Sequence, residues 1–166
     1  MSKMLAISPH IVESLYREAL ALSDDVRATF ALSGQLARSA KDTRKANPQA
    51  SEQERARIAY SNAGLRTTTR MMHAIAWLLN HRAYFMGEIN AIQLRRHGRL
   101  DRELLTVKLR DEALLGIEVL HLIERTGLFY ERLVRLDEHW RLSQETGLPP
   151  SAIQRLRQRI ESRLAS

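Results

Sequence analysis

Cysteine is absent from the 166 residues. Disulfides, thiolate zinc sites and thiol catalysis are thereby excluded, and a reducing compartment is allowed. Glycine (7) and proline (4) are scarce, aromatics make up 5% of the chain, and no alternating β-branched run occurs. That combination removes what a sheet needs and points to an all-helical protein. Long hydrophobic runs are missing too: the longest nearly uncharged apolar stretch is MMHAIAWLLN, residues 71–80. A membrane-spanning helix needs about 20 such residues. The first twenty residues, MSKMLAISPHIVESLYREAL, carry one lysine but no continuous apolar segment and no small-residue cleavage site, so they do not read as a secretory signal. The expectation is a soluble cytoplasmic protein.

What the chain does have is a 44% hydrophobic content, and at this length it can bury roughly two thirds of the surface its unfolded form exposes. One cooperative core follows without covalent staples. The net charge is +7, from 26 basic and 19 acidic residues, with arginine dominating the basic set. Arginine favours bidentate pairing with carboxylate or phosphate, so the balance points to nucleic acid or an acidic protein partner. The basic residues are spread along the chain, however, and many fit solvated helix faces. Glu13 with Arg17 and Glu131 with Arg135 stand at the i, i+4 spacing of helical ion pairs.

Apolar periodicity divides the chain into three long helices. Ser8 as N-cap and Pro9 at the first helical position open the first, Ile11, Leu15, Ala19, Leu22, Val26 and Phe30 form its apolar face, and Gly34 suits its end. Residues 34–50 read as a loop. Ser51 and Glu54 stand in capping-box spacing and start the second helix. Ile58, Leu65, Met72, Leu79 and Met86 then recur at seven-residue intervals until Gly87, a pattern that keeps one stripe facing a neighbouring helix in left-handed packing. This helix is about 50 Å long at 1.5 Å per residue. Residues 88–96 suggest a short helix stopped by Gly98, and LLTVKL, 104–109, an extended connector. From Asp111 a third long helix carries Leu114, Ile117, Leu120, Leu128, Leu133, Leu136 and Trp140. The predicted architecture is an all-α, three-long-helix antiparallel bundle over residues 1–145, followed by a short arginine-rich amphipathic tail helix over 146–166. Ile153, Leu156, Ile160 and Leu164 give that tail its apolar stripe.

The segment LRTTTRMMHAIAWLLNHRA, residues 65–83, joins two different halves. Threonine hydroxyls bond back to carbonyls one turn earlier, so Thr67, Thr68 and Thr69 suit a narrow, closely packed part of a helix. Met71, Met72, Trp77 and Leu78 build a bulky part, and Arg66 and Arg70 are expected to project from one edge. A docking surface is the alternative to plain packing here.

The run AYSNAGLRTTTRMMHAIAWLLNHRA, residues 59–83, followed by Gly87-Glu88-Ile89, resembles the signature of the alphaproteobacterial family named for the regulator of CtrA degradation. LYREALAL at 15–22, VKL at 107–109 and ERTGLFYERLVRLDE at 124–138 support the resemblance, which covers most of the chain from residue 11 to 140. It implies a three-helix bundle that dimerises, has no catalytic centre and no cofactor, and serves as an adaptor. In that role it tethers substrates or other adaptors to a ClpXP protease primed by a response regulator, and so times the destruction of cell-cycle regulators. Two departures stand out. Ala63-Gly64 replaces an expected glutamate ahead of Leu65, and the tail is short and helical in pattern where the family's is flexible and serves cargo delivery. The residues expected to meet protein partners are Arg66, Arg70 and Arg82 on the second helix, with Arg155, Arg157 and Arg159 in the tail. Intrahelical or intersubunit ion pairs are the competing role for the first three.

Other chemistries find less support in the residues. Glu118 and His121 form a single E-x-x-H, whereas di-iron carboxylate bundles need two such motifs and further glutamates, so metal binding is not expected. His73 and His81 lack carboxylates at relay spacing and suit packing with a hydrogen-bonded ring. No phosphate-binding loop, G-x-S-x-G or His-Glu-x-x-His occurs. An arginine-lined cavity gripping dicarboxylates through Arg66, Arg70 and Arg82, as in chorismate-mutase-like bundles, is the surviving enzyme alternative. The stronger competitor is DNA binding: WRLSQETGLPPSAIQRLRQRIESRL, residues 140–164, has a helix-turn-helix layout, with Gly147 at the turn and Ser151, Gln154, Arg155 and Arg157 near the start of the second helix.

Overall fold

A computed structural model describes residues 7–39, 48–106, 109 and 111–145, the side chains of 32–39, 48–50 and 145 excepted. These residues are all-α. The long helices are α1 (Pro9–Ser39), α2 (Pro48–Phe85) and α4 (Ile117–Glu145), and α3 (Ala91–His97) is a short helix in the connection between the last two. Two 3-10 turns, Arg102–Leu105 and Glu112–Leu114, complete that connection.

The ends of the helices follow local chemistry. Ser8 Oγ accepts the backbone N–H of Ile11 at 3.3 Å, capping α1 as its sequence predicts. The helix continues past Gly34 to Ser39, and α2 begins at Pro48, so Ser51 and Glu54 lie inside α2 rather than at its cap. Gly87, at φ +79°, ends α2 in a backbone conformation that glycine adopts without strain. Asn90 and Gln93 form a reciprocal capping box on α3, each side chain accepting the other's backbone N–H at 2.9 Å. The last long helix starts at Ile117 instead of Asp111. Asp111 takes a left-handed conformation (φ 52°) ahead of a 3-10 turn, which delays the regular helix by one turn and a half.

Interhelical contacts fix the directions. Arg82 of α2 pairs with Glu13 near the start of α1, and Gly64 lies against Phe30 further along it, so α1 and α2 are antiparallel. Arg125 pairs with Asp25 and Arg132 with Glu18, so α4 is also antiparallel to α1. It follows that α2 and α4 run in the same direction. The connection from 86 to 116 therefore travels back along the bundle before α4 begins, and Tyr60 Oη accepts the Gly116 N–H at 3.0 Å where it arrives.

Two contiguous groups of side chains form the core. The larger joins Val12, Ala19, Leu22 and Val26 of α1 to Met71, Ala74, Trp77 and Leu78 of α2 and Leu122, Phe129, Tyr130, Leu133 and Val134 of α4. The smaller joins Ala59 and Ala63 to Leu115, Val119 and Ile123. On α2 the buried row at its narrow end is thus Ala59, Ala63 and Thr67, small residues that let neighbours approach. A β-carbon at Gly64 would lie 2.9 Å from the Phe30 ring, so the missing side chain leaves room for the phenyl group. Thr67 is fully buried and its hydroxyl donates to the Ala63 carbonyl at 2.7 Å, the back-bond its position predicts. Thr69 does the same to Leu65, while Thr68 faces solvent.

Among the described residues, no helix of the chain covers the seven-residue stripe. Ile58, Leu65, Met72, Leu79 and Met86 are all exposed. On α4, Ile117 and Leu128 are likewise outside, and Val119, Ile123 and Phe129 take the inner positions. Among the described residues, no helix is long and apolar enough to cross a membrane.

Candidate protein-interaction surfaces

Arg66, Arg70 and Arg82 do not form one edge. Arg66 is exposed, and its Nε donates to Asn62 Oδ1 at 3.1 Å one turn earlier. Arg82 is half-buried, pairs with Glu13 at 3.2 Å and lies over the Tyr16 ring with its guanidinium carbon 4.6 Å from the centroid. Its role is to join α2 to α1, where cation and ring face attract. Arg70 is corrected outright: it is buried, not projecting. Nε donates to the Leu104 carbonyl at 2.9 Å, Nη2 to the Leu105 carbonyl at 3.3 Å, and Nη1 to the Ile123 carbonyl at 3.0 Å and Thr126 Oγ1 at 3.1 Å.

Every one of those acceptors is neutral. Burial therefore pulls the Arg70 pKa below its usual value, yet arginine starts so high that it stays charged and spreads its donors over the carbonyls. Gly127 makes the space, since a β-carbon there would stand 3.2 Å from Arg70 Nη1. The side chain is consequently a clamp that fastens the returning connector to α2 and α4. With one guanidinium buried, one bound to α1 and one in solvent, the three arginines cannot close on one dicarboxylate. Arg155, Arg157 and Arg159 lie outside the described residues.

A second buried polar group lies toward the C-terminal end of α2. Asp137, 4% exposed, accepts Trp77 Nε1–H at 3.0 Å and Arg141 Nε–H at 2.9 Å. Arg141 reaches on to the Arg95 and Gly98 carbonyls at 3.2 and 3.1 Å, which ties α3 to α4. His81, fully buried beside this group, donates from Nδ1 to the Trp77 carbonyl at 3.1 Å in the tautomer that fits that acceptor, and its ring lies 3.9 Å from that of Trp77. Nε2 is buried without a partner. The ring packs and hydrogen-bonds as its sequence position suggests. His73, in contrast, is exposed.

Burial holds the His81 pKa below 6.5, with the Trp77 carbonyl and Asp137 opposing that shift and Arg141 adding to it. The folded protein thus keeps the ring neutral where the unfolded chain binds a proton. Stability is fully present above the unfolded-state pKa and declines as pH falls below about 6.5 toward the folded value. Urea unfolding between pH 7.5 and 5 should show a decline that His81→Leu reduces, by up to about 1.4 kcal/mol per pH unit for one proton. Equal slopes in the two proteins would refute it.

Glu118 and His121 are both exposed, and among the described residues no group of three His, Asp or Glu is placed to hold a metal ion. Residues 140–145 of the helix-turn-helix pattern are the end of α4, with Trp140 packed at His81 and Tyr84 in the bundle. The rest of that pattern lies outside the described residues.

Among the described residues, two surfaces stand out as not absorbed by packing. One is the exposed row on α2. The other is basic: Arg95 and Arg96 at the end of α3 and Arg99 just after it are exposed, and none of the three has an ion-pair partner among the described residues. Sequence reasoning passed over this cluster because it treated residues 88–96 only as a helix and Gly98 as its stop. The run RRHGR, 95–99, was the available signal. Elsewhere among the described residues the basic charge is largely matched, with Glu13–Arg17 at 3.7 Å and Glu131–Arg135 at 3.4 Å among the pairs, as their spacing predicts.

The chain belongs to the family described as "Protein of unknown function (DUF1465)", whose model matches residues 4–164. No curated protein and no solved structure matches it significantly.

Proposed function

We propose that this member of the DUF1465 family is a non-enzymatic regulatory adaptor of the cytoplasm. As a homodimer it tethers protein substrates or other adaptors to a ClpXP-type protease in cell-cycle control. The observation that supports the reading is the presence of two chemically different free surfaces on one rigid bundle: an uncharged apolar row on α2 and the basic cluster Arg95, Arg96 and Arg99. An adaptor must hold two things at once. Each contact needs only modest affinity, because the second forms within a complex already assembled and at a high effective concentration. The basic cluster suits an acidic segment of a protein partner, steering its approach and fixing register more than adding affinity.

The test is protein half-life in the native host, measured across the proteome with and without this gene, in strains with and without the protease. A discrete set of proteins should live several-fold longer without the gene, and only where the protease is present. The triple variant Arg95→Glu, Arg96→Glu, Arg99→Glu should fail to restore their turnover. Unchanged half-lives throughout would remove the adaptor reading. A salt-dependent mobility shift on duplex DNA would favour the competing DNA-binding regulator.

A further inference from the structure

The five large side chains on the outer face of α2, Ile58, Leu65, Met72, Leu79 and Met86, are 58%, 69%, 65%, 44% and 70% exposed. Between them come Ser61, Thr68 and Ala76, all exposed, and Ala83, half-buried, so no charge interrupts the row. Single exposed apolar residues are ordinary on a protein surface, but a continuous uncharged row is not.

One edge of this row is basic. Residues 66, 73 and 80 each follow a large residue of the row by one position and stand seven apart, which sets them along the same side of α2. Arg66 and His73 are exposed there, and Asn80 Nδ2 donates to the His97 carbonyl at 3.5 Å. That bond places the end of α3, with Arg95, Arg96 and Arg99, beyond the same edge. Arg66 donates to Asn62 and has no carboxylate partner among the described residues. The opposite edge is closed by α1, where Gly64 lies against Phe30 and Arg82 pairs with Glu13. From Arg55 to Gly87 the sequence has five arginines and no Asp or Glu. Acidic charge for the open edge therefore comes from whatever lies on the row.

The make-up of the row selects a helix as its occupant. A peptide that docks as an extra strand needs an open sheet edge, and the described residues contain no strand. A polyproline segment needs an aromatic-lined groove, and none of the nine row positions is aromatic. An α-helix needs apolar anchors at steps of three and four with small residues between them, which Leu65, Thr68, Met72, Ala76 and Leu79 supply. A second copy of this same face would bring no carboxylate to Arg66, because α2 has none between Glu54 and Glu88.

We propose that the outer row of α2 binds an amphipathic helix of a protein partner, with its apolar stripe on Leu65, Met72 and Leu79 and acidic residues along the flank that faces Arg66. The proposal rests on the adaptor reading and narrows it, giving the chemistry of the segment held at one of the two contacts. Since Asn80 and His97 join the two surfaces, a chain held on the row and one held on the Arg95 cluster lie side by side. Met72 and Met86 give the row latitude, because an unbranched, polarizable thioether repacks against helices of differing side chains. The acidic flank contributes approach rate and orientation more than affinity.

The probe is a synthetic helix of about 20 residues, with leucine and alanine on one stripe and glutamate on the flanks, read by fluorescence anisotropy. Lysine- and glutamine-flanked versions control for charge. The purified full chain should bind the glutamate form at peptide concentrations below about 1 mM, and several-fold more tightly than the lysine form, a preference that fades with added salt. Leu65→Glu, Leu79→Glu should abolish binding of all three peptides without changing the far-ultraviolet circular dichroism spectrum, since both side chains are outside the core. Leu65→Gln, Leu79→Gln is a milder pair that should weaken binding in the same order. Arg66→Glu should lose the preference for the glutamate form. The proposal is overturned if no peptide binds by that concentration, if the glutamate and lysine forms bind equally, or if Arg66→Glu keeps the parent's preference. It is also overturned if binding survives both leucine variants but is lost in Arg95→Glu, Arg96→Glu, Arg99→Glu, which would assign the peptide to the basic cluster. Sedimentation velocity supplies the last check: leucine variants that turn a dimer into a monomer would give the row to a second copy. Protein and peptide alone contain neither protease nor cargo, so failure here leaves the half-life result standing, and unchanged half-lives leave the peptide result standing.

Discussion

Replacing Arg70 by alanine is expected to lower the unfolding free energy by roughly 3–5 kcal/mol. The guanidinium donates to the carbonyls of Leu104, Leu105 and Ile123 and to the Thr126 hydroxyl. Thr126 keeps a hydrogen bond of its own, from its hydroxyl to the Ile123 carbonyl at 2.9 Å. Among the described residues no other donor reaches the Leu104 and Leu105 carbonyls, and leaving a buried acceptor unpaired costs about 1–3 kcal/mol each. Truncation also opens a void beside Gly127. Arg70→Lys should recover less than half of the loss, because an ammonium is a compact point charge that cannot fan across four acceptors on two elements. The readouts are urea unfolding and the rate of proteolytic cleavage within 99–106, which should rise in both variants. An Arg70→Ala protein within about 1 kcal/mol of the parent would show that the clamp does not hold the connector.

Asp137→Ala should cost a similar amount, roughly 3–5 kcal/mol, for a different reason. The carboxylate is the buried anion between the Trp77 indole and Arg141. Without it an indole N–H is left in the core and a partly buried cation loses its counterion. Arg141 would then no longer be oriented toward the Arg95 and Gly98 carbonyls, so the loss should extend to α3 and appear as faster amide exchange at Leu94 and Gly98. Asp137→Asn keeps an acceptor for Trp77 but removes the charge, and should cost about 1–3 kcal/mol. Tryptophan fluorescence separates the two, since only alanine removes the hydrogen bond to the indole. Equal stability of Asp137→Ala and the parent would exclude this account.

The helical class, the three long helices and the Ser8 cap were legible because they depend on local chemistry: capping residues, scarce glycine and apolar periodicity. The inner face of α2 was not. Periodicity marks a stripe as apolar without saying which polypeptide covers it, and α2 has two stripes. Over the N-terminal half of α2 the larger apolar side chains, Ile58 and Leu65, belong to the outer one, while the fold uses the modest Ala59, Ala63 and Thr67 where close approach matters. Arg70 was misplaced for a related reason. An arginine is assumed to be outside unless a carboxylate is in view, and its partners here are main-chain carbonyls 34 to 53 residues away, which no local pattern encodes. Gly127 was the one hint, a glycine in mid-helix whose absent side chain makes room for a distant group.

The parallel run of α2 and α4 sets an order of assembly. The pairing of α1 with α2 closes over a short connection, whereas Trp77 meets Asp137 across 60 residues and Arg70 meets Thr126 across 56. Loop-closure entropy makes the first step fast and the second slow. On the ribosome the first two helices therefore emerge as a hairpin whose α2 still lacks cover on the side α4 will occupy, and that side stays open until the last long helix has been synthesised.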